Sequence, residues 1–206
     1  YTLFLYKYLN ITASGFGLNE FLINNKRQRN HPKYLQSLTK KIKFPLLASN
    51  LFDLKTTEQV RWKNVQNSVI KETSGVKIGY LSVLTQELSN DIPDQNINGI
   101  YIQNPAKNII VRARELRRKG AQIIVLMLNE GVDCTHQLAN EENIEIEKVN
   151  FFPHDSKHCD MKGTEFDKIL KQLPAKTVDV IFTTGEKTKV TNFINKGPYL
   201  LTTILA

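Results

Sequence analysis

The feature that most constrains the fold is a series of short apolar runs that alternate with stretches of helical periodicity. Turn residues bound each apolar run, as they bound the buried strands of an α/β sheet. The four runs cover residues 44–48, 77–84, 121–128 and 178–184. The last two follow directly on helical patterns, and this order of elements is typical of an α/β layered sandwich.

Three segments place apolar residues at the spacing of an α-helix, which predicts helices over residues 32–42, 105–119 and 164–173. The second begins with Pro105, which suits the first turn of a helix, and it ends before Gly120, a common helix stop. The third is followed by Pro174, which cannot continue a helix.

Other stretches differ from this pattern. Residues 54–75 mix charged residues with scattered apolar ones, which predicts an antiparallel excursion from the main sheet. Residues 134–160 have the most loop-like composition and an acidic centre, and we expect a loop insertion there. Both ends of the sequence are apolar, at 1–9 and 199–206. We therefore expect a single domain, 1–206, that is truncated at both ends.

Composition excludes several classes of protein. With 41% hydrophobic and 23% charged residues, the chain is neither disordered nor collagen-like nor a disulfide-rich mini-protein. Its longest apolar runs reach roughly a third of the ~20 residues that span a bilayer, so we expect no transmembrane segment. The net charge of +8 suits anionic partners. However, the basic residues are dispersed and no nucleic-acid-binding motif accompanies them, so nucleic acid is not the expected partner.

Four segments at the predicted strands carry motifs. Residues 44–50 read F-P-L-L-A-S-N, and residues 77–85 read K-I-G-Y-L-S-V-L-T. Residues 116–133 begin L-R-R-K-G-A and end G-V-D, and residues 178–185 begin V-D-V-I and end in glycine. In this order they resemble the calcineurin-like metallophosphoesterases, in particular the 5′-nucleotidase branch. The resemblance implies a layered α-β-β-α sandwich whose site lies at the carboxyl ends of the strands.

In working members of that family, carboxylates, histidines and an asparagine hold two divalent metals at those strand ends. The two ions clamp the attacking and leaving oxygens of a phosphoryl displacement. The family motif G-N-H-E corresponds here to residues 17–20, G-L-N-E. The ligand asparagine is therefore replaced by Leu18, which has no donor atom. The histidine that protonates the leaving group is replaced by Asn19, which does not titrate.

The other histidine motifs have changed in the same direction. Asn129 stands where the family has a histidine after the central strand. The family motif G-H-x-H has become G-E-K-T at residues 185–188, where Lys187 would repel a cation. The degenerate positions are Leu18, Asn19, Asn129, Glu186 and Thr188. The first metal ligands of the family would precede Tyr1. We therefore predict a pseudoenzyme with no catalytic residues and no cofactor.

The expected role is that of a structural or interaction subunit, with other protein subunits of a complex as partners. A rewired metal site is the alternative, because Asn19, Asn129 and Glu186 offer oxygens that suit Mg²⁺ or Ca²⁺. The chain would then be a divergent hydrolase of nucleotides or other phosphate monoesters that uses two divalent metals. In the family pattern, Glu20 supports the loop rather than the metal. A basic nucleic-acid-associated domain is a third, weaker interpretation.

Cys134 and Cys159 flank the acidic loop and have three interpretations. The resemblance favours a disulfide, because similar family members are commonly exported and carry cysteines in this insertion. Such a bond would stabilise the chain by roughly 3 kcal/mol. Free thiols in a reducing compartment, or zinc ligation together with nearby histidines, are the alternatives. We expect an extracellular, secretory or organellar location rather than the cytosol.

Overall fold

The computed structural model describes residues 11–22, 31–129, 164–184, 191–193 and 199–203. Within these ranges the helices are α1 (Leu18–Leu22), α2 (His31–Thr39), α3 (Gln86–Asn90), α4 (Asp94–Ile97), α5 (Pro105–Arg118) and α6 (Glu165–Gln172). The strands are β1 (Ser14–Gly15), β2 (Leu46–Leu47), β3 (Leu51–Asp53), β4 (Val65–Gln66), β5 (Ser68–Thr73), β6 (Val76–Val83), β7 (Ile100–Ile102), β8 (Ile123–Leu128), β9 (Val180–Thr184), β10 (Thr191–Phe193) and β11 (Tyr199–Thr203). The predicted loop insertion, 134–160, and the apolar run 1–9 lie outside the described residues.

The larger sheet has the strand order β10-β11-β9-β8-β6-β5. Its four inner strands run parallel, and the two outer strands, β5 and β10, are antiparallel to their neighbours. The strands predicted over 77–84, 121–128 and 178–184 are the inner strands β6, β8 and β9. Because β6, β8 and β9 are parallel, their carboxyl ends lie at the same edge of the sheet.

A three-stranded sheet, called the smaller sheet below, has the order β1-β2-β4, and its strands are parallel and only two residues long. β3 and β7 form a separate antiparallel pair. The strand predicted over 44–48 is present as β2, which is only two residues long. Soon after it the chain bonds to the larger sheet, since the Ser49 N–H donates to Ser82 O at 2.7 Å. The prediction of an antiparallel excursion over 54–75 is wrong in part. β5 is antiparallel to β6, whereas β4 pairs in parallel with β2.

The two sheets lie face to face with little space between them. A Cβ atom added to Gly15 of β1 would overlap Ser82 Oγ and lie 3.2 Å from Ser82 Cβ of β6. On the outer face of the larger sheet, Ile109 of α5 and Phe166 of α6 pack against strand residues such as Leu126. On the smaller sheet, Leu35 of α2 belongs to a second hydrophobic cluster with Leu46. The predicted α-β-β-α sandwich is confirmed.

The three predicted helices are present with small changes at their ends. α5 begins after Asn104, whose Oδ1 accepts the N–H of Lys107 at 3.0 Å, and α6 begins after Thr164, whose Oγ1 accepts the N–H of Asp167 at 3.2 Å. α2 ends at Thr39, three residues earlier than predicted. There Asn64 Nδ2 donates to the carbonyls of Thr39 and Ile42, at 2.9 and 2.6 Å, and holds the chain in a turn. No helix in the described part of the chain is long and apolar enough to cross a membrane.

Candidate strand-end site

The loop after β1 and the residue after β8 meet at one edge of the sandwich, although the two strands belong to different sheets. A Cβ atom on Gly17 would lie 2.9 Å from Asn129 Oδ1 and 3.3 Å from Glu20 Oε2. A side chain at position 17 would displace these two polar side chains from their present positions. The structure therefore places the 17–20 segment beside Asn129, at the edge where the resemblance puts the family's metal site.

Glu20 holds the loop that begins α1. Its Oε2 accepts the N–H of Gly17 at 2.7 Å, so the third helical residue reaches back to the residue that precedes the helix, as in a capping box. Burial raises the pKa of Glu20, against the lowering by the backbone N–H groups of Gly17 and of Glu20 itself. The contact agrees with the loop-supporting role that the resemblance gives this residue.

Leu18, at the position where the resemblance puts the family's ligand asparagine, is half-buried. Its side chain packs against the hydrophobic cluster of the smaller sheet, which includes Phe16 and Phe21. An aliphatic side chain has no lone pair for a cation, and this one contributes to the core instead. Asn19 lies next to it in α1.

Asn50, which ends the F-P-L-L-A-S-N motif, is completely buried and ties three segments together. Its Nδ2 donates to Leu84 O at 2.7 Å and to Gln103 O at 2.8 Å. Its Oδ1 accepts the N–H of Leu84 at 2.9 Å. With these three bonds made inside the protein, the amide of Asn50 joins the segments that follow β2, β6 and β7. The sequence motif indicated the position of this residue but not its partners.

Glu165, the first residue of α6, holds the segment that follows the carboxyl end of β6. The side chain is buried, and its two oxygens accept the N–H groups of Gln86 and Glu87 at the beginning of α3. A carboxylate at a helix N-terminus is favoured by both the unpaired N–H groups and the helix dipole. This contact between α6 and α3 was not predicted, because the two helices are far apart in the sequence.

The described residues at this edge do not fit a centre of two divalent cations, which needs several carboxylate and imidazole ligands. Leu18 offers no donor, Glu20 caps its own helix, and Asn50 is occupied by three internal hydrogen bonds. Asn129 contributes an amide oxygen. In the part of the chain that the structure describes, no three His, Cys, Asp or Glu side chains form a group that could hold a metal ion.

Several predicted residues fall outside the described ranges. They are Glu186, Thr188, Cys134 and Cys159. The disulfide and the assignments at 186 and 188 therefore stay predictions.

The fold is similar to that of several solved phosphoesterase structures. A protein described as a 5′-nucleotidase from Staphylococcus aureus has a TM-score of 0.67 and 13% identity, over 97% of this chain and 33% of that one. The sulfate thiohydrolase SoxB of Thermus thermophilus has a TM-score of 0.66 and 10% identity, over 97% and 29%. The calcineurin-like phosphoesterase YfkN of Bacillus subtilis has a TM-score of 0.56 and 21% identity, over 88% and 47%.

The likeness concerns the fold and not the sequence as a whole. No family model and no curated protein sequence matches this chain. The chain spans about a third of the length of the first two structures above, 33% and 29%. By this likeness, the chain has the fold of the calcineurin-like phosphoesterases and 5′-nucleotidases.

Proposed function

We propose that this chain is a metallophosphoesterase-like domain without hydrolytic activity, which serves as a structural or interaction subunit of a larger assembly. The observation that carries the proposal is the position of Leu18. It is the first residue of α1, directly after Gly17, which lies beside Asn129; the family resemblance puts a metal-binding asparagine at this position, and Leu18 packs instead against the hydrophobic cluster of the smaller sheet.

The residue types at the other positions support the same conclusion. Asn19 and Asn129 carry amides where the family has imidazoles, and an amide does not take up or release a proton near neutral pH. Loss of a general acid alone typically costs ~10²–10⁴-fold in rate. At residues 186 and 188 the sequence has glutamate and threonine in place of two further histidines.

A phosphatase assay tests the proposal. The purified chain is incubated with p-nitrophenyl phosphate or a nucleoside monophosphate in the presence of Mn²⁺, Mg²⁺ or Zn²⁺. We expect no release of phosphate above the metal-only blank. Asn129→Ala is the matched control, because phosphate release that is equal in this variant comes from a contaminating enzyme and not from the strand-end site.

The alternative proposal is a divergent hydrolase of nucleotides or other phosphate monoesters. It is favoured by Asn129 Oδ1, an oxygen that faces Gly17 at the strand ends. Asn19 and Glu186 would add further oxygen donors of the kind that Mg²⁺ prefers. Metal-dependent turnover that is lost in both Asn129→Ala and Glu186→Ala would establish this function and contradict the first proposal.

We also propose that the domain works in an extracellular, secretory or organellar compartment, with Cys134 joined to Cys159. The support is the resemblance to exported proteins. Peptide mapping without reduction should then yield one linked pair of peptides that contains both cysteines. Two alkylated thiols in protein taken from its native compartment would contradict the disulfide.

A further inference from the structure

An open cleft of about 780 Å³ lies beside β4, the outer strand of the smaller sheet. Arg61, Lys63, Val65 and Asn67 all line this cleft. A turn at 62–65, in which the Val65 N–H donates to Trp62 O at 3.0 Å, brings Arg61 and Lys63 to the start of β4. None of the lining residues belongs to the 17–20 loop or is Asn129. The cleft is therefore separate from the strand-end site.

The charges that line the cleft are mainly positive. Among the described residues that line it are three cations, Arg61, Lys63 and Arg112, and one carboxylate, Glu58. Arg61 and Glu58 pair at 2.9 Å, with 84% and 59% of their side chains exposed. An ion pair this exposed is weak and is readily exchanged for another anion. The rim of the cleft is therefore suited to a negatively charged partner.

Arg112 places a third cation deeper in the cleft, where only 18% of its side chain is exposed. It pairs with Glu115 at 2.8 Å and donates to Gln59 Oε1 at 3.4 Å. Its Nε–H is buried and has no hydrogen-bond partner among the described residues. Arg112 therefore adds a partly buried positive charge to the cleft, held in place by Glu115 and Gln59.

Two aromatic side chains supply an apolar part of the cleft. Trp62 is half-buried, and its ring meets Phe16 edge-on with the centroids 6.4 Å apart. Phe52 packs against Tyr101 with the centroids 5.7 Å apart. The rings of Trp62 and Phe52 thus each pack against a second aromatic ring. Aromatic residues and arginines placed together in this way provide much of the binding energy of protein interfaces.

We propose that this cleft docks an acidic, extended segment of a partner protein that carries at least one large apolar side chain. The proposal rests on the proposed function as an interaction subunit. The segment would lie along β4 with its carboxylates toward Arg61, Lys63 and Arg112 and its apolar side chain against Trp62. An open cleft along an outer strand suits an extended chain, whereas small-molecule sites are more enclosed and mostly apolar.

Fluorescence anisotropy tests the proposal with a labelled peptide of alternating glutamate and leucine. The comparison peptide has glutamine in place of each glutamate. We expect the acidic peptide to bind, the neutral one to bind much more weakly, and added salt to reduce the affinity. The double variant Arg61→Glu with Lys63→Glu should lower the affinity at least about tenfold, because it reverses the charge of the rim.

Lys40→Glu with Lys43→Glu is the matched control, since it changes the net charge equally at exposed positions outside the cleft. It should alter the affinity by no more than about twofold. Arg112→Lys keeps the charge and removes the planar fork, and it should weaken binding to an intermediate degree. Thermal unfolding verifies that each variant is folded.

Three outcomes would overturn the proposal: no binding of the acidic peptide to the unmodified chain, an equal loss in both charge-reversal pairs, or tighter binding of single-stranded RNA of the same charge. The phosphatase assay reports on the strand-end site and not on Arg61 or Lys63. Failure of the docking proposal is thus distinguishable from failure of the proposed function, because turnover contradicts the latter whatever the peptide does.

Discussion

The two sheets of the sandwich are stabilised in different ways. In the larger sheet, β6 and β8 pair continuously from Ile78 and Ile123 to Val83 and Leu128, beneath buried side chains of α5 and α6. In the smaller sheet each strand pairs over two residues only, and β1 lies against the larger sheet. There the side-chain amide of Asn50 makes contacts that a longer ladder of backbone hydrogen bonds would otherwise provide.

Under the proposed function, in which the domain holds no metal centre, this difference explains how the fold persists. Three polar residues near the strand ends, Asn50, Glu20 and Glu165, each bind backbone groups of the protein itself. These contacts join the two sheets and the helix starts directly. An edge held by internal hydrogen bonds does not depend on cations to keep its loops in place.

The largest effect is expected when the amide of Asn50 is removed. Asn50→Ala leaves the N–H and carbonyl of Leu84 buried without this partner and also removes the bond to the carbonyl of the exposed Gln103, at a cost of about 3 kcal/mol of unfolding free energy. Urea unfolding measures the loss. Asn98→Ala, at an exposed position, is the control and should change little. A loss below about 1 kcal/mol in Asn50→Ala would show that side-chain amides do not hold the smaller sheet.

The next largest effect tests close packing in the larger sheet. A Cβ atom on Gly79 of β6 would lie 3.1 Å from both Ala121 Cβ and Leu116 Cδ1. Gly79→Ala should therefore destabilise the protein by about 2 kcal/mol through overpacking. Adding Ala121→Gly removes one of the opposing methyl groups and should restore part of the loss. Additive losses in the double variant would mean that the two sites do not press on each other.

These two tests concern regions that differ in how well the sequence predicts them. The inner strands β6, β8 and β9 were predicted because their residues form continuous apolar runs. β3, β7, α3 and α4 were missed, since elements of three to five residues carry no detectable period. The parallel pairing of β4 with β2 is fixed by contacts such as the Leu46 N–H to Asn64 O, which no local pattern contains.

The candidate site, too, could be predicted only in part from the sequence. In α/β sheets, functional residues lie at the carboxyl ends of the strands, and the family motifs point to Asn129 and to residues 17–20. Asn129 and the 17–20 segment both follow strands that end at one edge, so their proximity could be predicted. The role of Asn50 could not be predicted, since its partners are 34 and 53 residues away in the chain. The cleft was also missed. The R-W-K sequence at 61–63 could have indicated the cleft, but only the fold brings Arg112 to the same cleft.

A smaller effect is expected at the junction between β8 and β9. Asp179 Oδ2 accepts the N–H of Ile124 at 2.6 Å and pairs with Arg117, with about a third of each side chain exposed (36% and 34%). Asp179→Ala should cost about 1.5 kcal/mol of unfolding free energy, mostly from the backbone contact. Arg117→Ala should cost less, because a partly exposed ion pair is screened by solvent. A larger loss in Arg117→Ala would reverse this assignment.

The smallest effect concerns Glu20 and depends on pH. Because burial raises its pKa in the folded state, the folded protein binds this proton more tightly than the unfolded chain does. Stability from this group is thus present at low pH and is lost as the pH rises through the raised pKa. Glu20→Gln keeps an acceptor for the Gly17 N–H and does not ionise. It should be more stable than the unmodified chain at about pH 7 and equal to it at about pH 4.

Melting temperatures recorded across this pH range measure the effect. Identical pH profiles for the two proteins would show that the carboxyl of Glu20 does not contribute to the pH dependence of stability. Asp53 is a useful reference, since backbone N–H groups of Thr56 and Lys55 lower its pKa and it lies at the surface. Asp53→Asn should therefore leave the Glu20-dependent difference unchanged.

Isothermal titration with Mn²⁺ is the most direct test of the central claim, that the strand-end edge keeps the phosphoesterase framework without its metal-binding side chains. The titration is performed on the unmodified chain and on Asn129→Ala. Our account predicts only heats of dilution for both proteins. Saturable binding by the unmodified chain that disappears in Asn129→Ala would contradict it.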